Sequence, residues 1–534
     1  MAVTPSAPTC RPSLDEVRAL AAEHDLVPVV TELLADCDTP VSAFLRLGMA
    51  PGSFLLESVE GGERLARYSF LGVSPMCTVT LDGGVATVVD ALGAVSSEPY
   101  SDPLVPVERE VGRYRVAPLP GVAPPFAGGA IGFLSYEAAT RYERIPVAPR
   151  DPLGVPEGWF AVVDTLIAFD HVSHRMLLLT HARTPPGADV ERAYDDAVAR
   201  LDDLRSRLRS PLPPPAVLFD DSVAADELPQ GERWHSPLQA NAGVGEAPHR
   251  ARQRPDELTA NFSRPDFMRA VERCKEYILA GDIFQVQVGR RFAVPLRAAP
   301  FDVYRALRSI NPSPYMFFLA TPSCDIVGAS PEMLVRVTGR HVEYHPIAGT
   351  RRRGSTPEKD AAMERELRES EKERAEHLML VDLGRNDVGR VCQVGSVAVT
   401  EFMEIERYSH VMHMVSSITG ELRDDCTAVD ALRACFPAGT VTGAPKVRAM
   451  EIIAELEPEV RGAYAGTVGY LGFGGNLDTA ITLRTLLVKD GIAYAQASGG
   501  VVADSTPHEE ALEIDNKVAA PLAAVATANR GLDA

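Results

Sequence analysis

The chain has 534 residues, 46% hydrophobic and 24% charged, with 53 Lys+Arg against 73 Asp+Glu and a net charge of −20. This is ordinary globular composition, long enough for one large core or roughly two to three domains, and no apolar run approaches the ~18 residues of a membrane span. The acidic balance argues against nucleic-acid binding, which needs a basic face, and requires that any anionic ligand be held by local positive charge from Arg, Lys, helix ends or a metal ion.

The first residues, MAVTPSAPTCRPSLDEV, lack a basic region followed by an apolar run, so no secretory signal is expected. The eight cysteines (Cys10, Cys37, Cys77, Cys274, Cys324, Cys392, Cys426 and Cys435) are scattered without a C-x-x-C pair. Reduced thiols and a cytoplasmic location are expected.

Residues 1–205 alternate short β-rich runs with turns: SFLLESV, RYSFLGVS, CTVTLDG, AIGFLSYE, WFAVVDTLIAFD and RMLLLTHA. They predict antiparallel sheet, with helices at 13–24 and about 188–208. Residues 206–262, rich in Pro, Gly, Ser, Asp and Glu without sustained periodicity, read as a long, partly disordered linker. RPDFMRAVERCKEYILAGD then predicts an amphipathic helix with Pro265 in its first turn and Gly281 at its C-terminal cap. IFQVQVGRRFAVP reads as a strand, and a last helix is expected to start near His508.

Within this second half, GASPEML (328–334) and HPIAGTRRRG (345–354) read as β-structure that breaks at a Gly and resumes. Such a turn either lies plainly on the surface or aims a side chain such as Glu332 into a cleft. ERELRESEKERAEHLMLVDLGRND spaces Glu366, Glu369, Glu373 and Glu376 three and four apart, on one helical face. TPHEEALEIDNK offers Glu509, Glu510 and Glu513. A solvated face accounts for much of the first run, but Glu376 abuts an apolar stretch where an unpaired charge is costly. Two helices each offering two acids suit an oxygen-liganded Mg²⁺ that keeps positions open for substrate.

His410 and His413 in RYSHVMHMVSSITG lack a third zinc ligand at a convincing spacing, which leaves a satisfied core histidine or a catalytic one. FPAGTVTGAPKVRAMEII (436–453) presents glycines, threonines and Lys446 ahead of an apolar helical run, the arrangement of an anion-facing helix start. It is not a nucleotide P-loop, because Lys446 follows Ala-Pro and Gly439 and Gly443 are only four apart. Arg484, inside the apolar run AITLRTLLV, needs a partner, either a structural carboxylate or a bound one.

Together these segments closely resemble the chorismate-utilising enzymes, in particular the anthranilate synthase large-subunit family. The resemblance rests on LLES (55–58), GDIFQV (281–286), NPSPYMFF (311–318), GASPE (328–332), PIAGTRRRG (346–354), EHLMLVDLGRND (376–387), VMHMVS (412–417), the 436–453 segment, and GNLDTAITLRT through DNK (475–517). It covers about residues 15–200 and 262–520. It implies an α/β (α+β) fold of two facing antiparallel β-sheets with surrounding helices. Residues 1–205 would be an N-terminal region with a tryptophan-binding segment, 263–520 the chorismate-binding catalytic region, and 521–534 a tail.

The same resemblance implies the site. Mg²⁺ would be held by Glu376 and Glu513, with Glu373 and Glu510 as water-mediated neighbours, and would bind the ring carboxylate of chorismate. The enolpyruvyl carboxylate would meet Arg484, Tyr464 and the backbone N–H groups around Ser498 and Gly500. Gly349, Thr350, His413 and Thr440 would line the ring, with Glu332 as general acid and the pocket of His413 and Thr440 positioning the later proton removal. Relatives that add water carry Lys where this chain has Gln285, and relatives that form 4-amino-4-deoxychorismate usually carry Lys at Ala348; both positions favour anthranilate over the aminodeoxychorismate, isochorismate or salicylate alternatives. The family usually has Gly where this chain has Ser498.

Ser58, Asn311, Pro314, Tyr315 and Met316 match a tryptophan feedback site; the plain alternative for Ser58 is a hydrogen bond to backbone. No cysteine sits in a Gly-x-Cys-x-Gly turn, so ammonia would come from a separate glutamine amidotransferase component II, in a hetero-oligomer (heterotetramer), or from solution.

Overall fold

The computed structural model of the chain describes residues 10–59, 67–119, 124–212, 258–407 and 411–532. Most of the expected linker, 213–257, and His410 lie outside the described residues.

Period-two runs of β-branched and aromatic residues become strands here, and they pair antiparallel into two sheets of twelve strands each. The first runs Leu26–Leu34, Arg175–Arg183, Leu166–Asp170, Tyr68–Gly72, Phe54–Glu57, Tyr315–Ala320, Asp325–Ser330, Thr485–Lys489, Ile492–Val501, Gln285–Pro295 and Thr259–Ala260, with Gly443–Ala444 also on Gln285–Pro295. The second runs Ile347–Arg352, Val411–Glu421, His341–Tyr344, Met333–Thr338, Leu477–Ile481, Thr467–Gly472, Gly129–Leu134, Gly158–Val163, Cys77–Asp82, Val85–Asp90 and Val95–Pro99, with Ala398–Arg407 on Val411–Glu421.

The sheets face each other across one apolar cluster. Phe54, Phe70, Phe317 and Leu319 come from the first sheet, and Ile131, Phe133, Trp159 and Val468 from the second. Each such side chain contributes about 1.5–3 kcal/mol on burial. Helices cover the outer faces. Phe267, Phe301, Tyr304, Ile514 and Val518 pack on the first sheet, while Leu104, Val381, Val388 and Leu432 pack on the second. Residues 1–205 and 263–520, separate in sequence, share both sheets: Phe54–Glu57 pairs with Tyr315–Ala320, and Gly129–Leu134 with Thr467–Gly472.

Helix starts follow their caps. Ser263 accepts from Asp266 N to open Arg264–Ala280, which ends at Gly281 with φ of 83°. Thr506 accepts from Glu509 N to open Pro507–Arg530. The tail expected from 521 is corrected by that last helix. It runs on to Arg530, because Pro521, Ala524, Val525 and Ala528 extend its buried face. The segment WFAVVDTLIAFD forms two strands, Gly158–Val163 and Leu166–Asp170. All eight cysteines are unbridged, and no helix among the described residues is long and apolar enough to cross a membrane.

Candidate active site

The acid spacing in 364–387 does not produce one continuous helical face. Helix Pro357–Glu369 ends at Ser370, which has φ −63° and ψ 109° and caps the next helix, Glu371–Gly389, by accepting from Glu373 N at 3.4 Å. A serine hydroxyl satisfies the orphan N–H groups of a first turn, so the helix restarts there and the acids diverge. Glu366 and Glu373 share Arg351, at 2.9 and 3.0 Å. Arg353 likewise pairs with Asp360, at 2.8 Å. Glu376 turns instead to strand Gln285–Pro295 and accepts from Gln285 Nε2 at 2.8 Å.

On the last helix, Glu510 accepts from Ser505 Oγ at 2.7 Å and Glu513 pairs with Lys517 at 2.6 Å. Burial pushes the Glu376 carboxyl above its ordinary range, and the neighbouring charges of Glu373 and Glu513 push it further. Burial and Glu513 raise Glu510 to about 7. Buried Glu510 Oε2 and Gln285 Oε1 have no hydrogen-bond partner. Like charges thus gather from two helices, an arrangement that a divalent cation relieves. Among the described residues no group of three or more His, Cys, Asp or Glu is placed to hold a metal ion. Mg²⁺ can take as few as one or two carboxylates and complete its shell with water and substrate oxygens, and the crowded acids Glu376 and Glu513 are donors of that kind.

Glu332 stands in the break between strands Asp325–Ser330 and Met333–Thr338. Ser330 secures that break, donating to Ile481 O at 2.6 Å and accepting from Glu332 N at 3.3 Å. The Glu332 carboxyl is 3% exposed and accepts from Thr440 Oγ1 at 2.6 Å. Burial raises it to about 8, against the opposing pull of Thr440, the Ile347 N–H and Lys517. It is a carboxylic acid at neutral pH. Thr440 rides on a one-turn helix, Gly439–Val441, ahead of helix Lys446–Leu456. The anion that Lys446 meets is Asp387, at 2.7 Å.

In strand Ile347–Arg352 the register shifts between Ala348 and Thr350 as Gly349 adopts φ 65°, a bulge that turns Thr350 Oγ1 to His413 Nδ1 at 3.0 Å. The Gly349 carbonyl lies 3.3 Å from the same nitrogen. Burial lowers His413 to about 4, so its imidazole is neutral. Ala348 is buried in this strand.

Arg484 holds φ 49°, left-handed and uncommon for any residue other than glycine. Burial pulls its guanidinium below the ordinary value, while Tyr464 and Glu513 pull it up. A guanidinium so placed is costly without a partner, and a carboxylate is the bidentate one. Tyr464 donates to Ser498 Oγ at 2.8 Å, and Ser498 donates to Gln287 Oε1 at 3.1 Å. A Cβ on Gly500 would come within 2.8 Å of both the Gln285 and Gln287 amide nitrogens.

Two further residues here, Gln287 and Lys517, are given no role by the sequence motifs. Gln287 shares a strand face with Gln285, two positions on. Lys517 lies one turn beyond Glu513 and donates to Ser498 O at 2.9 Å. The Lys517 ammonium acts on Glu332, Glu376, Glu510 and Tyr464 alike.

A separate cavity of about 370 Å³ is lined by Ser58, Pro314, Tyr315, Met316, Tyr68 and Arg67 among others. The buried Ser58 Oγ there has no hydrogen-bond partner, so the plain backbone bond is not made. Asn311 departs from the expected set. It terminates helix Pro300–Ile310, outside this lining.

The family model for chorismate binding enzymes matches residues 53–523. The chain is 44% identical over 514 residues to anthranilate synthase component 1 of Acetivibrio thermocellus, covering 96% of this chain and 98% of that protein. It is 45% identical over 524 residues to that of Pseudomonas aeruginosa, covering 97% and 99%. Among solved structures, anthranilate synthase component I of Streptococcus pneumoniae superposes with a TM-score of 0.70 at 34% identity, covering 92% of this chain and 99% of that one. The menaquinone-specific isochorismate synthase of Escherichia coli shares the fold, with a TM-score of 0.64 at 16% identity over 96% and 98% of the two chains. With a match across most of its length and relatives of that identity across nearly all of it, the chain belongs to the chorismate-binding enzyme family, among the anthranilate synthase component 1 proteins.

Proposed function

We propose that this chain aminates chorismate and eliminates pyruvate to give anthranilate, the first committed step of tryptophan formation. The observation that carries the reading is Lys517. One ammonium lies within electrostatic reach of a neutral carboxylic acid (Glu332), the clustered carboxylates and Tyr464. That shared influence supports grouping these residues in one site, where a small dianion with carboxylates at both ends would bind.

Glu376 and Glu513 would hold Mg²⁺, with Glu373 and Glu510 as neighbouring acids. The ion would supply the positive charge that an acidic protein needs beside the ring carboxylate. Arg484, Tyr464 and the backbone around Ser498 and Gly500 take the enolpyruvyl carboxylate. Ammonia adds at ring C2 as the C4 hydroxyl departs. Hydroxide leaves poorly, so Glu332 delivers the proton that turns it into water. Loss of pyruvate and of the C2 proton aromatises the ring, with neutral His413 and Thr440 positioning that step and Gly349 and Thr350 shaping the wall. Gln285 is a neutral amide bound to Glu376 and offers no base to activate water; Ala348 offers no amine to add covalently. Ammonia arrives from a glutamine amidotransferase component II in a cytoplasmic hetero-oligomer.

The test is product formation from chorismate, MgCl₂ and ammonium at alkaline pH. Anthranilate fluorescence, dependent on Mg²⁺, is the expected result. Isochorismate, salicylate or aminodeoxychorismate by mass would overturn the reading.

The 370 Å³ cavity is proposed as the tryptophan site. Its apolar walls suit an indole, and the orphaned Ser58 hydroxyl suits a polar end of the amino acid. Ser58→Arg fills this cavity. It should raise the tryptophan concentration for half-inhibition at least tenfold, with kcat within about twofold of wild type. Unchanged inhibition would move the effector elsewhere.

A further inference from the structure

We propose that Arg461 is a positioning residue for this reaction: its buried guanidinium fastens the turn that carries Thr440 to the strand that carries Gln285 and Gln287. The inference rests on the anthranilate-forming reading above.

Arg461 and Glu457 are each 3% exposed. Arg461 Nε donates to Glu457 Oε2 at 3.0 Å, and Nη2 to Glu457 Oε1 at 2.7 Å. The remaining donors leave the pair. Nη1 reaches Val441 O at 2.7 Å, one residue past Thr440, and Nη2 reaches Gln287 O at 2.6 Å. Glu457 Oε1 in turn accepts from Gly289 N at 2.8 Å, and Gly289 is the register partner of Ser498. A Cβ at Gly289 would stand 3.0 Å from Ala497 O and 3.3 Å from this carboxylate, so glycine leaves the acid room to approach the strand. The guanidinium carbon lies 5.8 Å from the Tyr464 ring centroid. One ion pair thus touches the backbone next to Thr440, beneath Gln287 and opposite Ser498, and flanks Tyr464.

Well-packed apolar residues commonly replace a buried ion pair without loss, but here they would also remove the bonds to Val441 O, Gln287 O and Gly289 N. What apolar residues lack is the planar fork that ties two carbonyls from different segments to one carboxylate. Thr440 gives Glu332 its hydrogen bond at 2.6 Å, so a shift of the 439–441 turn moves the proton donor. A displacement of about 1 Å in a reacting group costs on the order of 10²-fold in rate.

Arg461→Lys keeps the charge and loses the fork. Its kcat should fall on the order of 10²-fold, with KM for chorismate within about threefold of wild type. Combined with Thr440→Val, the loss should be far smaller than the product of the single losses, because both act through Glu332. The Arg461→Met/Glu457→Met double variant removes both partners. It should stay folded, with Tm lowered by the lost bonds to Val441 O, Gln287 O and Gly289 N, and remain defective in kcat. Glu459→Gln, which breaks a second buried ion pair, to Arg291, with no bond to the site, should lower Tm and leave kcat within about twofold. A folded double variant with full kcat, or multiplicative losses with Thr440→Val, overturns the positioning role. Wild-type protein that makes no anthranilate overturns the functional reading itself.

Discussion

Glu376→Gln is expected to abolish turnover, by at least about 10³-fold, while the protein stays folded. The amide keeps the shape of the side chain and its hydrogen bond with Gln285, which in the native protein is 2.8 Å long. What disappears is one negative charge from a crowded set. Burial, Glu373 and Glu513 disfavour ionisation of Glu376 and outweigh the Gln285 hydrogen bond and Lys517, which favour it, so a joining cation would stabilise the carboxylate. The neutral variant should accordingly melt at or above the wild type in metal-free buffer. It should also gain nothing from added MgCl₂, whereas wild type should rise in Tm with Mg²⁺ through preferential binding to the folded state. Thermal melts with and without Mg²⁺, beside the fluorescence assay, check both halves. Mg²⁺-dependent activity retained in the variant would remove Glu376 from the metal site.

That prediction draws on residues legible in sequence, but their arrangement was only partly so. The strands were readable because period-two runs are local. Their partners were not: Phe54–Glu57 pairs with Tyr315–Ala320, more than 250 positions away, and nothing local records that register. Acid spacing suggested one helical face through 366–376, yet Ser370-x-x-Glu373 carries a capping-box pattern, a signal present in the sequence and outweighed there by the charge pattern. The stretch after 520 reads as a tail because the resemblance ends there, yet its alanines pack well inside a helix. Glu332, Arg484 and His413 emerged from motifs, whereas Lys517, Gln287 and Arg461 act through backbone carbonyls or in pairs and carry no pattern of their own. The orphaned Ser58 hydroxyl is a property of packing that only coordinates reveal.

Glu332→Gln should lower kcat by about 10²–10⁴-fold, the range for losing a general acid, with KM for chorismate little changed. The pH profile carries the sharper test. Burial holds this carboxyl at about 8 in the folded protein, against roughly 4.3 for an exposed glutamate. The acid is therefore loaded below about pH 8, and a limb of kcat/KM should fall about tenfold per unit above that value. In Glu332→Gln the residual activity should lose that limb. Stability follows the same sign. A group whose pKa is raised by folding favours the native state fully below the unfolded value, and loses that contribution as pH rises through the folded one. Wild type should thus lose Tm relative to Glu332→Gln progressively from about pH 4 to about pH 8 and level off above it, as a buried carboxylate is forced to ionise beside Thr440. A wild-type profile with no limb near pH 8, or a variant that keeps it, would assign the leaving-group proton to another residue. Because Lys517 pulls Glu332 down while burial pushes it up, Lys517→Met should move the limb to higher pH, so the same titration reads whether ammonium and acid share the hollow.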